Sequence, residues 1–364
     1  MKNKTVCILF SLIIFGFSAL CFFMPKAEYS ETERRPLKKM PEISVNSIFS
    51  GTFMKNFEDY TLDNFPLRDS FRTLKALSSK YVFAKKDNNG YYIDKDGFIS
   101  KKEYPIKEQS LDNAAKKFGE IYKNFFEGKD FNVYYSIVPD KNAFTAKDED
   151  VLSFDYGEFV KTMKEKITFG KYIDVFPLLS KEDYYKTDTH WKQEKITDVA
   201  DKLLSEMGNK TEVSYTENTL EKDFYGVYYG QASLPAESER IVYLTNEYTE
   251  NAKVYDWQNG KDSFVYDEEK GMGKDPYEIY LSGPLSLMTI ENEKSESGKE
   301  LIVFRDSFMS SLAPLLICGY DKITLVDIRY IKADVANKFT GFKEGSDVLF
   351  MYSTLVLNNS EEFK

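Results

Sequence analysis

The stretch that decides the fold, "LIVFRDSFMSSLAPLL", runs from Leu301 to Leu316. Its first four residues form an apolar run typical of a strand that is buried on both faces, and an apolar helical pattern follows "RDS". The pattern therefore places Ser307 at the carboxyl end of a strand and at the start of a helix, where sites form in open α/β sheets. A hydroxyl there projects above the sheet edge, and unpaired N–H groups of the first helical turn can hold an oxyanion. The alternative is that Asp306 or Ser307 is simply the N-cap of the helix.

Similar β-rich runs elsewhere in the chain alternate with helical patterns. We predict strands at Asn132 to Val138, Leu301 to Phe304, Lys322 to Asp327 and Asp347 to Tyr352, with Tyr172 to Val175 as a fifth. We predict helices at Leu111 to Phe126, Phe159 to Ile167, Trp191 to Glu206, Phe308 to Cys318 and Ile331 to Lys338. This alternation predicts an α/β fold with three layers, in which helices cover both faces of a parallel sheet.

Composition and charge exclude several function classes. The chain has 364 residues, 42% of them hydrophobic, which is typical of a globular protein. Its net charge of -10, without a basic stripe, argues against a nucleic-acid partner. Cys318 is the only cysteine outside the apolar N-terminal segment, so no disulfide is expected beyond that segment. One histidine and Cys318 cannot build a typical zinc site, and we expect no metal and no other cofactor.

The N-terminus carries an uninterrupted apolar run, "VCILFSLIIFGFSALCFFM", preceded by two lysines and closed by Pro25. A run of about 20 residues can cross a bilayer, whereas the apolar region of a signal peptide usually has about 7 to 15 residues. The positive flank keeps the N-terminus inside and sends the remainder outside. We expect a single anchor in the cell membrane with an extracellular domain, or a secreted protein if the segment is cleaved.

The rest of the chain divides by composition. Residues 1–25 form the anchor or signal segment, and residues 26–80 form a charged stalk with short helices. Residues 81–364 have the pattern of one compact α/β domain. Within it, residues from about 210 to 299 are rich in Tyr, Asn, Gly and charge, and we interpret them as a long, partly β insertion.

The only histidine of the chain lies in "DTHW", residues 188–191. A serine nucleophile needs a base, and His190 is the only imidazole that can supply it. Residues two apart in an extended segment point the same way, so Asp188 can orient His190 and stabilise its imidazolium. Trp191 is predicted to open the next helix and to pack over the imidazole or a sugar ring. The alternatives without a functional role are that His190 is solvated or lies in the core, and that Trp191 anchors its helix in the core.

These motifs in this order resemble the DHHW protein family, a relative of the alginate O-acetyltransferase group (AlgJ and AlgX type) in the SGNH hydrolase superfamily. Further pieces agree, in sequence order: "ETERRPL", "IVPDKNAFTA", "DPYEIYLSG" and "YDKITLVDIRYI". The resemblance implies an SGNH hydrolase-like fold and a triad of Ser307, His190 and Asp188. It also implies that the protein handles acyl groups on a polysaccharide outside the cell.

The resemblance suggests three further site residues. Arg329 and Tyr352 fall where acetyltransferase relatives place polar active-site groups, and Gly283 is a candidate backbone donor to an oxyanion. Their alternatives are a surface ion pair, a residue of the sheet core and a turn before Pro284, respectively. Two positions depart from the pattern. Arg305 replaces the glycine of the usual Gly-Asp-Ser, and Pro284 has neither an N–H nor an amide side chain to offer.

The leading hypothesis is an anchored, extracellular SGNH-like O-acyltransferase or esterase that acts on acetyl groups of a cell-surface or secreted polysaccharide. The acceptor is a sugar hydroxyl or water, and transfer calls for a multi-pass membrane partner that brings acetyl groups across the bilayer. The alternative is a catalytically degenerate protein that binds polysaccharide or acts as a cell-envelope scaffold. Pro284 favours the degenerate protein, whereas the sole histidine beside Asp188 favours the enzyme.

Overall fold

The computed structural model describes residues 2–209, 213–295 and 297–364. Contacts between residues divide the chain into two compact units. The first unit comprises Met1–Asn89 and Tyr229–Pro235, and the second comprises Gly90–Tyr228 and Ala236–Lys364. The second unit therefore contains both "DTHW" and "RDSF".

The first unit contains a long apolar helix followed by a small hairpin and short helices. Its helices are α1 (Lys2–Phe23), α2 (Val45–Phe49), α3 (Thr52–Asp63) and α4 (Arg68–Leu77), and a π-helical turn over Ser78–Val82 continues α4. Its strands are β1 (Tyr29–Ser30) and β2 (Arg35–Pro36), which pair antiparallel.

The remaining elements form the larger α/β body. The strands are β3 (Tyr91–Ile93), β4 (Ile99–Lys101), β5 (Asn132–Val138), β6 (Lys171–Tyr172), β7 (Thr216–Thr219), β8 (Val242–Thr245), β9 (Lys253–Asp256), β10 (Lys261–Ser263), β11 (Leu287–Glu291), β12 (Glu300–Arg305), β13 (Lys322–Val326) and β14 (Asp347–Ser353). The helices are α5 (Glu108–Phe125), α6 (Asn142–Thr145), α7 (Tyr156–Lys166), α8 (Thr197–Glu206), α9 (Val227–Ala232), α10 (Glu247–Asn251), α11 (Glu268–Gly271), α12 (Met309–Leu316), α13 (Ala333–Thr340) and α14 (Thr354–Leu357). Single turns of 3-10 helix occupy Phe176–Leu178, Lys181–Asp183, Gln193–Lys195, Pro276–Ile279, Ile317–Gly319 and Ser360–Glu362.

One eight-stranded sheet organises this body, in the order β10-β9-β11-β13-β12-β14-β5-β6. The strands from β13 to β6 run parallel, whereas β11, β9 and β10 extend the sheet in antiparallel fashion. β12 lies between β13 and β14, so the residues that follow it emerge in the middle of the parallel part. In such sheets, the carboxyl ends of the strands carry the site.

Helices cover both faces of the sheet, which confirms the predicted three-layer α/β fold. Alternate residues of the parallel strands face opposite layers because successive side chains in a strand point to opposite sides. Val303 of β12 and Leu349 of β14 pack with α8 and α12 in one core cluster. Phe304 and Phe350 pack with α5, α7, α13 and α14 in the other. The continuous apolar runs of these strands thus fill two cores at once.

The predicted strands and helices are found close to their predicted bounds, with three differences. The strand predicted at Tyr172 to Val175 is the two-residue β6 at Lys171–Tyr172. Trp191 does not open a helix, because it pairs with Tyr184 in an isolated antiparallel bridge and α8 begins only at Thr197. The range from about 210 to 299 is more than an insertion, since its described residues supply β9, β10 and β11 to the main sheet.

Candidate active site

Ser307 lies in the turn that joins β12 to α12, as the strand-to-helix pattern predicts. The neighbouring carboxylate of Asp306 closes this turn: it accepts hydrogen bonds from the N–H of Phe308 at 3.0 Å and from the N–H of Ser353 at 2.7 Å. The second bond ties the turn to the carboxyl end of β14. Because Asp306 takes both of these N–H groups, the hydroxyl of Ser307 is left for another partner.

That partner is His190. The segment before it is folded back on itself, with the N–H of Tyr185 donating to the carbonyl of His190 at 3.1 Å. The N–H of Lys192 donates to the carbonyl of Asp183 at 2.7 Å. These bonds make the "KTDTH" segment the tip of a tight loop and project Asp188 and His190 from it. The extended geometry that the sequence predicts for the two residues is replaced by this loop, which brings their side chains together all the same.

The three side chains form one hydrogen-bonded line. Nδ1 of His190 lies 2.6 Å from Oδ1 of Asp188, and Nε2 of His190 lies 2.8 Å from Oγ of Ser307. Because a carboxylate can only accept, the proton of the neutral ring belongs on Nδ1, which leaves Nε2 to accept from the serine hydroxyl. The side chain of Asp188 is 1% exposed and that of His190 is 13% exposed, so the base sits at the surface end of a buried pair.

Backbone groups hold the carboxylate of Asp188. Oδ1 also accepts from the N–H of His190 at 3.0 Å, and Oδ2 accepts from the N–H of Val227 at 2.8 Å. The second contact requires a close approach at Gly226, whose N–H donates to Oγ1 of Thr187 at 2.9 Å. A Cβ at Gly226 would lie only 2.2 Å from the Cβ of Asp188, so only glycine fits beside this carboxylate.

Aromatic rings fix the plane of the imidazole. The ring of Tyr277 stacks on that of His190, with centroids 4.0 Å apart and an angle of 9° between the planes. Phe308 approaches the imidazole at a centroid distance of 5.2 Å. The hydroxyl of Tyr277 donates to Oγ of Ser311 at 2.8 Å, which ties the stacking ring to α12. Tyr277 belongs to "DPYEIYLSG", which is part of the resemblance, but the sequence gives no sign that its ring meets the histidine.

Lys141 is a further residue that sequence reasoning misses. Its side chain is buried, and its ammonium donates to three backbone carbonyls of the histidine loop: Tyr185 at 2.6 Å, Lys186 at 3.0 Å and Asp188 at 2.8 Å. Burial lowers the pKa of Lys141 to about 7, although the carboxylates of Asp188 and Glu239 oppose that shift. Lys141 therefore fixes the backbone that carries the carboxylate of Asp188, and its position in "IVPDKNAFTA" is the only signal in the sequence.

Trp191 is a core residue, which corrects its assignment as a substrate-binding candidate. Its side chain is fully buried, and its indole N–H donates to the carbonyl of Phe308 at 3.1 Å and to Oγ of Ser311 at 3.0 Å. Its ring meets that of Phe308 edge to face. Trp191 thus joins the histidine loop to α12 and presents no surface to a sugar.

The structure describes Gly283 and Tyr352 by their alternatives, whereas the suggested role of Arg329 stays a prediction. The N–H of Gly283 donates to the carbonyl of Tyr280 at 3.2 Å and φ is +95°, so the turn before Pro284 describes it and the N–H is not free for an oxyanion. Arg329 forms a bidentate pair with Asp327, at 2.9 Å and 2.6 Å. This pair is largely buried, because the side chain of Asp327 is 1% exposed.

Tyr352 lies in the sheet core. Its side chain is buried in β14 and its ring stacks on that of Phe118 at a centroid distance of 5.2 Å. Its hydroxyl has no hydrogen-bond partner within the described residues, and burial raises its pKa well above the ordinary value. The sheet-core alternative therefore describes Tyr352.

Comparison with known proteins bears on the fold. No family model matches the chain, and no curated protein matches its sequence. Among solved structures, the chain is similar to a DHHW family protein from Eubacterium siraeum DSM 15702, with a TM-score of 0.60 and 20% sequence identity over 76% of this chain and 95% of that chain. The chain has the fold of that protein. It is also similar to Bacillus cereus PatB1 with a sulfonyl adduct, with a TM-score of 0.57 and 18% identity over 73% of this chain and 97% of that one.

These similarities confirm the resemblance to a DHHW family protein at the level of fold, and the α/β fold class with it. At such identities they carry no residue roles. The contacts among Asp188, His190 and Ser307 are observed in this chain itself, and their catalytic roles are the subject of the proposal below.

Proposed function

We propose that the chain is a membrane-anchored, extracellular O-acyltransferase or esterase that acts on acetyl groups of a cell-surface or secreted polysaccharide through a serine nucleophile. The observation that carries the proposal is the line from Asp188 through His190 to Ser307, with contacts of 2.6 Å and 2.8 Å. A serine whose hydroxyl faces a base, and a base that is oriented by a buried carboxylate, is the arrangement that activates serine for acyl transfer.

The chemistry follows from the positions of the protons. Oγ of Ser307 attacks the acetyl carbonyl carbon while its proton passes to Nε2 of His190, and Asp188 stabilises the imidazolium. The leaving alcohol takes that proton as its bond to the carbonyl carbon breaks, which leaves an acetyl ester on Ser307. A sugar hydroxyl or water then attacks the acetyl carbon and gives its proton to His190, which returns that proton to Oγ of Ser307 as the bond between the serine and the acetyl group breaks. Among the described residues, none accepts a hydrogen bond from the N–H of Ser307, which is our candidate donor to the oxyanion.

The location and the partners are supported by sequence features. Within the described chain, Lys4–Phe23 is the one helix long and apolar enough to cross a membrane, with a mean hydropathy of 2.7. The acetyl group, the polysaccharide acceptor and the multi-pass membrane partner that delivers acetyl groups rest on the resemblance of the sequence to the alginate O-acetyltransferase group. PatB1 has been solved with a sulfonyl adduct, and sulfonyl electrophiles react with activated hydroxyl groups.

The test uses the full chain in detergent with a sulfonyl fluoride and, separately, a small activated acetyl ester. We expect one sulfonyl group per chain on Ser307, located by mass spectrometry, and turnover of the ester. Ser307→Ala and His190→Ala should lose both, whereas Ser205→Ala, which removes an exposed hydroxyl on α8, should lose neither. Because the residues act as one unit, the double variant should be no worse than either single one. Retention of polysaccharide without labelling or turnover would instead support the binding protein.

A further inference from the structure

Helix α4 is packed with its charged side inward. Arg68 and Arg72 lie four residues apart and therefore on one face of the helix. Both reach the carboxylate of Glu33, at 2.6 Å and 3.2 Å, and the side chain of Glu33 is only 9% exposed. A helix at the surface of a water-soluble protein normally buries its apolar stripe and exposes its charges. In α4, the two arginines instead lie inward, whereas Asp69 and Lys75 of the same helix are exposed.

The opposite side of α4 and the turn after it is apolar and open. We call this set the outward face, and it consists of Leu67, Phe71, Leu74, Tyr81 and Val82, all exposed. Phe71 and Leu74 lie three residues apart on one side of α4, Leu67 immediately precedes the helix, and Tyr81 and Val82 lie in the π-helical turn that follows it. Contiguous exposed apolar residues of this kind mark a surface that contacts another apolar phase.

Contacts with the apolar helix α1 indicate that the apolar environment of the outward face is lipid. The ring of Phe17 stacks on that of Phe65 at 5.5 Å and meets that of Phe71 at 5.7 Å, and Phe65 and Phe71 are themselves 5.6 Å apart. Phe17 lies six residues before the end of α1 at Phe23, which is about 9 Å along the helix axis. If α1 crosses a bilayer and Phe23 marks its outer hydrocarbon boundary, Phe71 contacts the anchor at a depth of about 9 Å inside that boundary.

We propose that the outward face lies in the outer leaflet of the membrane, so that α4 rests on the lipid beside the anchor. Amphipathic helices at a membrane surface bury their apolar side about 5 to 10 Å into the boundary between headgroups and acyl chains, which matches the depth that Phe17 sets. The charged side, which pairs with Glu33 and Asp63, then faces away from the lipid. This inference rests on the part of the proposed function that makes α1 a membrane anchor.

The experiment inserts a tryptophan reporter into the full chain in vesicles that contain phosphatidylcholine brominated near the glycerol end of its acyl chains. Leu74→Trp probes the outward face, and Leu152→Trp is the matched control, because the two leucines are 59% and 58% exposed and Leu152 belongs to the second unit. Phe10→Trp reports on insertion of α1. The emission of the two native tryptophans is subtracted by measuring the unsubstituted chain.

We expect the added emission of Leu74→Trp to be lost in large part to the brominated lipid and that of Leu152→Trp to be retained. If Phe10→Trp is quenched and Leu74→Trp is not, the proposal is overturned and an apolar partner protein becomes the occupant of the outward face. If Phe10→Trp is not quenched, the anchor itself is wrong and the proposal fails with it. Sulfonyl labelling of Ser307 in the same vesicles reports on the proposed chemistry separately.

Discussion

Replacing Lys141 by methionine separates the positioning of Asp188 from the stability of the fold. Methionine keeps an unbranched side chain but cannot donate. The variant loses three hydrogen bonds, to the carbonyls of Tyr185, Lys186 and Asp188, of which that of Lys186 also accepts from the N–H of Ile99 at 2.7 Å. Each lost hydrogen bond lowers the free energy of unfolding by about 1 to 3 kcal/mol. Burial lowers the pKa of Lys141 from 10.5 to about 7. Removing this buried ammonium therefore raises the free energy of unfolding by about 5 kcal/mol.

Because these opposing contributions are of similar size, we expect Lys141→Met to fold. Its histidine loop loses all three contacts with the side chain at position 141, so the carboxylate of Asp188 shifts relative to Nδ1 of His190. A displacement of about 1 Å in such an arrangement costs about 100-fold in rate. The assay is the second-order rate constant for labelling of Ser307 by the sulfonyl fluoride, beside a urea unfolding curve of the same preparation.

Lys186→Met is the matched control, because Lys186 lies in the same loop and its ammonium lies over the ring of Phe98, at 5.5 Å, instead of holding loop carbonyls. We expect its labelling rate to equal that of the unsubstituted chain. A Lys141→Met variant that is folded and labels at the unsubstituted rate refutes the positioning role. If Lys141→Met and Lys186→Met lower the labelling rate equally, the loop is sensitive to any substitution, and the ammonium of Lys141 does not position Asp188.

Three further predictions address other contacts. Gly226→Ala should destabilise the chain in urea unfolding and abolish labelling, because its Cβ would overlap Asp188 at 2.2 Å, whereas Gly119→Ala, with open space in α5, should stabilise by about 0.5 to 1 kcal/mol. Tyr277→Phe keeps the ring stacked on the imidazole and should label almost normally, whereas Tyr277→Ala should label slowly. The hydrogen bond from Arg35 holds the pKa of Asp63 at about 2, below its usual 3.8. The stability from this depressed carboxyl is fully present above pH 3.8 and is lost as the pH falls through 2, so Asp63→Asn should flatten the acid limb of an unfolding curve monitored in the first unit.

The parallel half of the sheet could be predicted from the sequence because its strands are buried on both faces and leave uninterrupted apolar runs. β5 occupies Asn132–Val138 as predicted, and β12 differs by one residue at each end. The antiparallel half could not be predicted in the same way. β9 (Lys253–Asp256) is four residues long with a charged residue at each end, and β10 (Lys261–Ser263) has a polar sequence typical of a loop, so only pairing with neighbours identifies them as strands.

The candidate site likewise contains residues that the sequence predicts and supporting residues that it does not. The reactive groups of Ser307, His190 and Asp188 are rare or distinctively placed in the sequence, so chemistry alone could select them. The groups that hold them are ordinary residues in the sequence. A lysine is read as solvated unless its burial is known, and nothing local to Lys141 shows that it reaches a loop more than 40 residues away. For Trp191, the sequence suggests a role that the structure does not support. A large aromatic residue next to His190 is typical of a sugar-binding surface, but the side chain of Trp191 is fully buried.

The two departures from the superfamily pattern are connected in the structure. The side chain of Arg305 is fully buried and points into the core that faces α12, so it does not crowd the turn at Ser307. Its guanidinium donates to the carbonyl of Asp306 at 3.3 Å, to Oγ of Ser310 at 3.1 Å and to the carbonyl of Leu285 at 3.1 Å.

Leu285 directly follows Pro284, so Arg305 holds the end of the same turn whose proline cannot donate. A glycine at position 305 would leave that turn without this contact. The two departures therefore belong together. The buried side chain of Arg305 holds the turn that contains Pro284, and the proline of that turn has no N–H to donate. In the proposed chemistry, the N–H of Ser307 is the candidate donor to the oxyanion, and replacing Arg305 should disturb the turn of Ser307 and the Pro284 turn together.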